Sequence, residues 1–134
     1  MNKGIELLIV EDSPTEAEQL KHLLEERGFA ITLATDGQEA LTRVKRRKPA
    51  LIICDIIMPA MDGYTLCKKI KSKKTTRDTP VVLVSALPSL QELIKALECG
   101  ADNFMRKPYD EKSLLSCISS TLANRVRRKS GADA

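Results

Sequence analysis

Five short apolar runs alternate with five helical patterns along this chain, and that alternation constrains the fold more than any other feature. The runs are Ile5–Val10 (IELLIV), Ala30–Ala34 (AITLA), Ala50–Cys54 (ALIIC), Pro80–Val84 (PVVLV) and Asp102–Met105 (DNFM). The first, third and fourth are near-continuous aliphatic stretches. A strand that alternates apolar and polar residues has one wet face; an unbroken run of this length fits a parallel strand covered on both faces. Strands separated by helices imply right-handed crossovers, so the expected architecture is α/β, a (βα)5 doubly wound five-stranded parallel sheet.

The helices are marked by their caps. Ser13-Pro14-Thr15-Glu16 offers an N-cap serine, proline at the first helical position and glutamate at N3, a capping box. Ala17, Leu20, Leu23 and Leu24 follow as an apolar stripe. Asp36-Gly37-Gln38-Glu39 repeats the pattern ahead of Ala40, Leu41 and Val44. A third helix starts near Gly63 or Tyr64 and carries Leu66, Cys67 and Ile70. Ser89-Leu90-Gln91-Glu92 is another box, and Leu90, Leu93, Ile94 and Leu97 follow at the i, i+3, i+4, i+7 spacing of a helical stripe. Asp110 caps a last helix with Leu114, Leu115, Ile118, Leu122 and Val126 inward. Gly28 and Gly100 stand where helices end. The terminal KSGADA is expected to lack structure.

Composition narrows the function classes. The 134 residues suit one domain with a substantial core. With no tryptophan and 3% aromatics, stacking on nucleic-acid bases is a poor option. No apolar run approaches the ~20 residues of a membrane span, and the N-terminal one is too short for a signal peptide, so a cytoplasmic protein without membrane contact is expected. Cys54, Cys67, Cys99 and Cys117 form no CxxC pair and read as small buried hydrophobes. The net charge of +4 comes from RVKRRK (43–48), KKIKSKK (68–74) and RVRRK (125–129), read as solvated helix faces, with no nucleic-acid binding by this domain alone.

In a doubly wound sheet, ligands bind beyond the carboxyl ends of the strands. Glu11 and Asp12 follow the first strand, Asp55 the third, Ser85 the fourth and Lys107-Pro108 the fifth. Three carboxylates, a hydroxyl and an ammonium thus converge on one end of the sheet. Carboxylates this close repel and raise one another's pKa, which a hard divalent cation such as Mg²⁺ relieves. The one histidine, His22, lies in the first helix away from this end and reads as exposed. There is no GxxxxGK[ST] loop, no Ser–His pair and no Cys–His pair. The remaining nucleophile is a carboxylate, and an aspartate helped by a metal and a lysine can accept a phosphoryl group. The residues alone leave a structural, a metal-ligating and a nucleophilic Asp55 in competition.

Glu11-Asp12, Asp55 within DIIMPAMDG, Ser85-Ala86 and Lys107-Pro108, each at a strand end and in this order, resemble the receiver domain of two-component response regulators, the superfamily of the chemotaxis regulators. The resemblance covers residues 5 to about 122. It implies the flavodoxin-like strand order 2-1-3-4-5. It makes Asp55 the phosphoacceptor and gives Mg²⁺ (or Mn²⁺) the ligands Glu11, Asp12, Asp55 and the backbone carbonyl of Ile57. Ser85 would donate to a phosphoryl oxygen and Lys107 pair with the phosphoryl group, ahead of a cis bond to Pro108. Pro59, Asp62 and Gly63 would shape the loop after the acceptor. Ser85 and Phe104 would form the switch; Phe104 lacks the hydroxyl that a tyrosine there offers, so any ring switch would read out sterically.

The same resemblance implies a phosphorylation-dependent signalling switch rather than an enzyme. Its phosphoryl group would come from a histidine kinase or a histidine phosphotransfer protein. Ile57 and Leu87, two residues beyond the acceptor and beyond Ser85, are aliphatic and hold no attacking water, which implies slow self-dephosphorylation. The expected readout is an output domain in cis or a protein partner, with a homodimer through the helix 4–strand 5–helix 5 face as one form. Lys95, Asn103, Arg106 and Glu111 are candidates on that face. Residues 1–124 are assigned to the receiver, and 125–134 to a basic extension leading to an output module. A phosphatase of the haloacid dehalogenase type would need a second aspartate where Ile57 stands. A receiver reduced to an interaction module would be expected to have lost an acid or the lysine.

Overall fold

The computed structural model describes residues 4–86 and 89–132. Its elements are β1 (Glu6–Val10), α1 (Pro14–Glu26), β2 (Ala30–Ala34), α2 (Gly37–Arg46), β3 (Leu51–Asp55), α3 (Gly63–Ser72), β4 (Val81–Ser85), α4 (Leu90–Glu98), β5 (Asn103–Arg106) and α5 (Glu111–Ala132). All four strand pairings are parallel, in the order β2-β1-β3-β4-β5. This is the doubly wound, flavodoxin-like sheet expected from the sequence. Strand ends move by one residue, so Asp55 and Ser85 are the last residues of their strands rather than the first beyond them.

Strand periodicity divides the core. Leu8, Val10, Ile52, Cys54, Val81 and Leu83 point to the side covered by α2, α3 and α4. Leu7, Ile9, Leu51, Ile53, Val82 and Val84 point to the side covered by α1 and α5. Burial on both faces explains the unbroken aliphatic runs, and each such side chain stabilises the fold by roughly 1.5–3 kcal/mol. All five helices are capped: the side chains of Ser13, Asp36, Asp62, Ser89 and Asp110 accept from the amides of Glu16, Glu39, Thr65, Glu92 and Ser113. Gly28 and Gly100 take φ of 95° and 87°, the left-handed conformation that ends a helix. Cys54, Cys67 and Cys99 are buried and Cys117 half-buried, all as free thiols. His22 is exposed and pairs with Glu26.

The apolar stripe of α4 faces away from the core: Leu90, Leu93, Ile94 and Leu97 are 74, 41, 44 and 77% exposed. At 100° per residue, Glu92, Ala96 and Cys99 lie on nearly the opposite face, and Ala96 and Cys99 are the buried ones. α4 rests on the sheet through small side chains and presents its large ones outward. One expectation is corrected: residues 129–132 of the terminal KSGADA continue α5 rather than lacking structure, while 133–134 lie outside the described residues. Extending an existing helix fixes one residue per hydrogen bond gained, and no proline interrupts it. Leu87 and the side chain of Val126 lie outside the described residues. Among the described residues no helix is long and apolar enough to cross a membrane.

Candidate functional site

The parallel register places the strand ends side by side. Val10 pairs with Cys54, Asp55 with Val84 and Ser85 with Arg106. Glu11 and Asp12 therefore emerge beside Asp55. One carboxylate oxygen from each of the three lies within 4.8 Å of the others, the one such cluster among the described residues. Glu11 is buried, Asp55 half-buried and Asp12 exposed. Hard oxygen donors at graded depth suit a divalent cation that keeps waters on its open side.

Lys107 closes the cluster. Its Nζ stands 3.2 Å from Glu11 Oε1, 3.5 Å from Glu16 Oε1 and 3.7 Å from Asp55 Oδ1. The other Glu11 oxygen accepts the Ser13 amide at 3.2 Å. The bond from Lys107 to Pro108 is cis, as the resemblance implied. Burial raises the pKa of Asp55; Lys107 pulls it back, while Asp12 and Glu16 push it further up. Burial likewise raises Glu11, against the Ser13 amide, with Asp55 adding to the rise. Burial works against the Lys107 ammonium, but Asp55 and Glu11 outweigh it, and its pKa is raised. Ionising both acids thus carries an electrostatic cost that one lysine does not remove.

The DIIMPAMDG loop is built against the Asp55 backbone. The Gly63 amide donates to Ile56 O at 2.8 Å, and a Cβ on Gly63 would stand 2.6 Å from Asp55 O. Only glycine lets α3 start this close to the strand end. Asp62 caps α3, a role the sequence did not reveal because it was read as a loop residue. Ala60 takes φ of 67° in the same loop, while the Ile57 side chain is 64% exposed. Ser85 is buried and donates to Glu92 Oε2 on α4 at 2.9 Å. Phe104 is half-buried and packs on the α2–α3–α4 side of the core.

Sequence reasoning missed two acids here. Glu16 and Glu92 were read as N3 partners of capping boxes. Their amides do bond the capping serines, but their carboxylates turn to Lys107 and Ser85. Their spacing from the strand ends carried no signal, since a capping box accounts for a glutamate at that position.

This arrangement has counterparts. The family model for the response regulator receiver domain matches residues 7–119. The chain belongs to the response regulator receiver family. Receiver domains are phosphoacceptor switches in phosphorylation-dependent signalling and bind divalent metal. The chain is 38% identical over 114 residues to the response regulator PleD of Caulobacter vibrioides, covering 85% of this chain and 25% of PleD. It is 34% identical to the response regulator MprA of Mycobacterium leprae, covering 87% of this chain and 50% of that one. A solved receiver domain of a signal transduction histidine kinase from Syntrophus aciditrophicus superposes with a TM-score of 0.83 at 44% identity, covering 89 and 90% of the two chains. This receiver domain spans a quarter to a half of the length of those two curated relatives.

Proposed function

We propose that Asp55 accepts a phosphoryl group from a phosphohistidine on a histidine kinase or a phosphotransfer protein, with Mg²⁺ held by Glu11, Asp12 and Asp55. The observation that carries this reading is the clustering of the three carboxylates with Lys107 3.7 Å from Asp55. A carboxylate oxygen of Asp55 forms the new P–O bond as the donor P–N bond breaks, and the imidazole leaves with the bonding pair and takes up a proton. Lys107 supplies fixed positive charge where the phosphoryl oxygens settle. A bound cation would supply further charge neutralisation. Ser85 is one strand step from Asp55 and offers a hydroxyl to the product. A groove of about 520 Å³ lined by Gln19, Leu20, Leu23, Lys107 and Pro108 opens beside the site and gives the donor an apolar surface to rest on. A phosphatase reading lacks its second acid, because Ile57 stands at that position.

The readout surface is the outer face of α4 with β5 and α5. A contiguous exposed apolar stripe on a small domain marks an interaction site, for an output domain, a partner or a second copy. Lys95 and Arg106 are exposed there, whereas Glu111 is engaged by Arg27 and Asn103 by Thr121. Residues 125–134 are read as the lead into an output module, supported by the continuation of α5 past the matched region. The aliphatic Ile57 supports slow self-dephosphorylation, and Phe104 a steric element of the switch. A cytoplasmic site of action fits the absence of a membrane-crossing helix among the described residues.

Intact-mass spectrometry after incubation with phosphoramidate tests the reading. A single Mg²⁺-dependent phosphoryl adduct, released by hydroxylamine, is expected. A folded, Mg²⁺-binding protein that takes up no phosphoryl group would leave only an interaction module.

The cation also has a pH-dependent effect on stability. Asp55 and Glu11 have folded pKa values above their unfolded ones, so the folded state holds their protons more tightly. Their contribution to stability is largest at low pH and is lost as pH rises from about 4 through the raised values. Mg²⁺ binds the ionised forms and offsets that loss. At about ten times its dissociation constant it should raise the thermal midpoint by roughly 3–5 °C at pH 7. The increment should vanish near pH 4; equal increments at both pH values by calorimetry would place the ion elsewhere.

A further inference from the structure

The last residue of β4 and the first turn of α4 meet through one side chain. The Ser85 hydroxyl donates to Glu92 Oε2 at 2.9 Å. The Glu92 amide donates to Ser89 Oγ at 3.2 Å, and the Glu92 carbonyl accepts from the Tyr64 hydroxyl on α3 at 3.2 Å. Glu92 therefore joins the strand end beside Asp55, the start of α4 and the start of α3. It sits on the inner face of α4, with Ala96 and Cys99, opposite the exposed stripe of Leu90, Leu93, Ile94 and Leu97.

A serine hydroxyl has a single proton and directs it to one main acceptor at a time. A carboxylate is a stronger acceptor than a neutral group, roughly by a factor of two. The structure shows the hydroxyl within hydrogen-bond reach of the Glu92 carboxylate on α4. We propose that Glu92 is a positioning residue that holds Ser85 on α4 in the unphosphorylated protein and must release it when Asp55 is phosphorylated. The inference rests on the reading of Asp55 as phosphoacceptor. No covalent step is involved: the Ser85 proton changes acceptor, from the Glu92 carboxylate to a phosphoryl oxygen. The first turn of α4 then loses its bond to β4, and the helix that carries the apolar stripe is free to shift. Phosphorylation biases this equilibrium only by the difference in what Ser85 gains and what it gives up. Glu92 contributes to the second quantity through this hydrogen bond.

The test is calorimetric titration with beryllium fluoride, a phosphoryl mimic, in excess Mg²⁺. Wild type, Glu92→Ala, Glu92→Gln, Ser85→Ala and the Ser85→Ala/Glu92→Ala pair are compared. Glu92→Ala should bind the mimic about tenfold more tightly than wild type, the scale of one hydrogen bond to a charged group. Glu92→Gln keeps an acceptor without its charge and should gain about threefold; it carries the test should the alanine variant fail to fold. With Ser85 already replaced, removing Glu92 should change affinity less than twofold, because the group it holds is gone. A tenfold gain that persists without Ser85, or no gain in either Glu92 variant of a protein that binds the mimic, overturns the proposal and leaves the phosphoacceptor reading standing. Failure of wild type to bind the mimic overturns that reading, and the role of Glu92 with it.

Discussion

Asp55→Asn is expected to abolish phosphoryl uptake completely while leaving the fold intact. The amide has nearly the shape of the carboxylate but no nucleophilic anion, and the other acids do not replace it. Glu11 is buried with one oxygen on Lys107 and the other on the Ser13 amide. Asp12 is exposed at the rim. Glu16 reaches Lys107 from α1 rather than from a strand end. The intact mass of the variant after phosphoramidate treatment with Mg²⁺ should match the untreated protein. The same substitution removes one of three mutually repelling carboxylates and an acid whose ionisation burial disfavours. Without metal, the variant should therefore unfold at an equal or higher urea concentration than wild type near neutral pH. An adduct on the variant would move the chemistry to another residue, and a large loss of stability would make Asp55 a structural acid.

The largest effect on stability is expected far from this site. Lys71→Ala should cost about 3 kcal/mol, the scale of breaking a buried ion pair by removing one partner. Lys71 Nζ lies 2.6 Å from Asp102 Oδ2 and also donates to Thr79 O at 2.7 Å and Arg77 O at 3.2 Å. The same Asp102 oxygen accepts the Val81 amide at 2.8 Å. The pair is only 17 and 5% exposed, so removing the ammonium strips the cation from a buried carboxylate and leaves two carbonyls without this donor. This network ties the end of α3 to the starts of β4 and β5. Lys69→Ala, two residues earlier and exposed, should change stability by no more than about 0.5 kcal/mol. Urea denaturation of the two variants decides the matter; equal midpoints would mean that the Lys71 contacts contribute little.

Much of this protein is legible without coordinates. The strands are aliphatic because parallel strands lose both faces to helices, and the helices announce themselves through their serine and aspartate caps. Glu11, Asp12, Asp55 and Lys107 could be brought together on paper, because a parallel sheet sends every strand end the same way. What stayed hidden follows one pattern: side chains whose local explanation was already sufficient. Glu16 and Glu92 satisfied a capping box, yet their carboxylates serve Lys107 and Ser85. Lys71 belonged to a basic run read as solvated, yet its ammonium is drawn inward by Asp102, a residue 31 positions away. The stripe of α4 satisfied the amphipathic rule, yet the helix turned its small residues to the sheet.

The amino-acid sequence by itself determined the architecture, the acidic strand ends and the caps, since these depend on periodicities of two and 3.6 residues and on neighbours within one turn. Tertiary structure alone decided which way α4 faces, where the capping glutamates point and which lysine is buried. Those choices compare the local partner of a side chain with one brought near by the fold, and a one-dimensional pattern carries no distance between them.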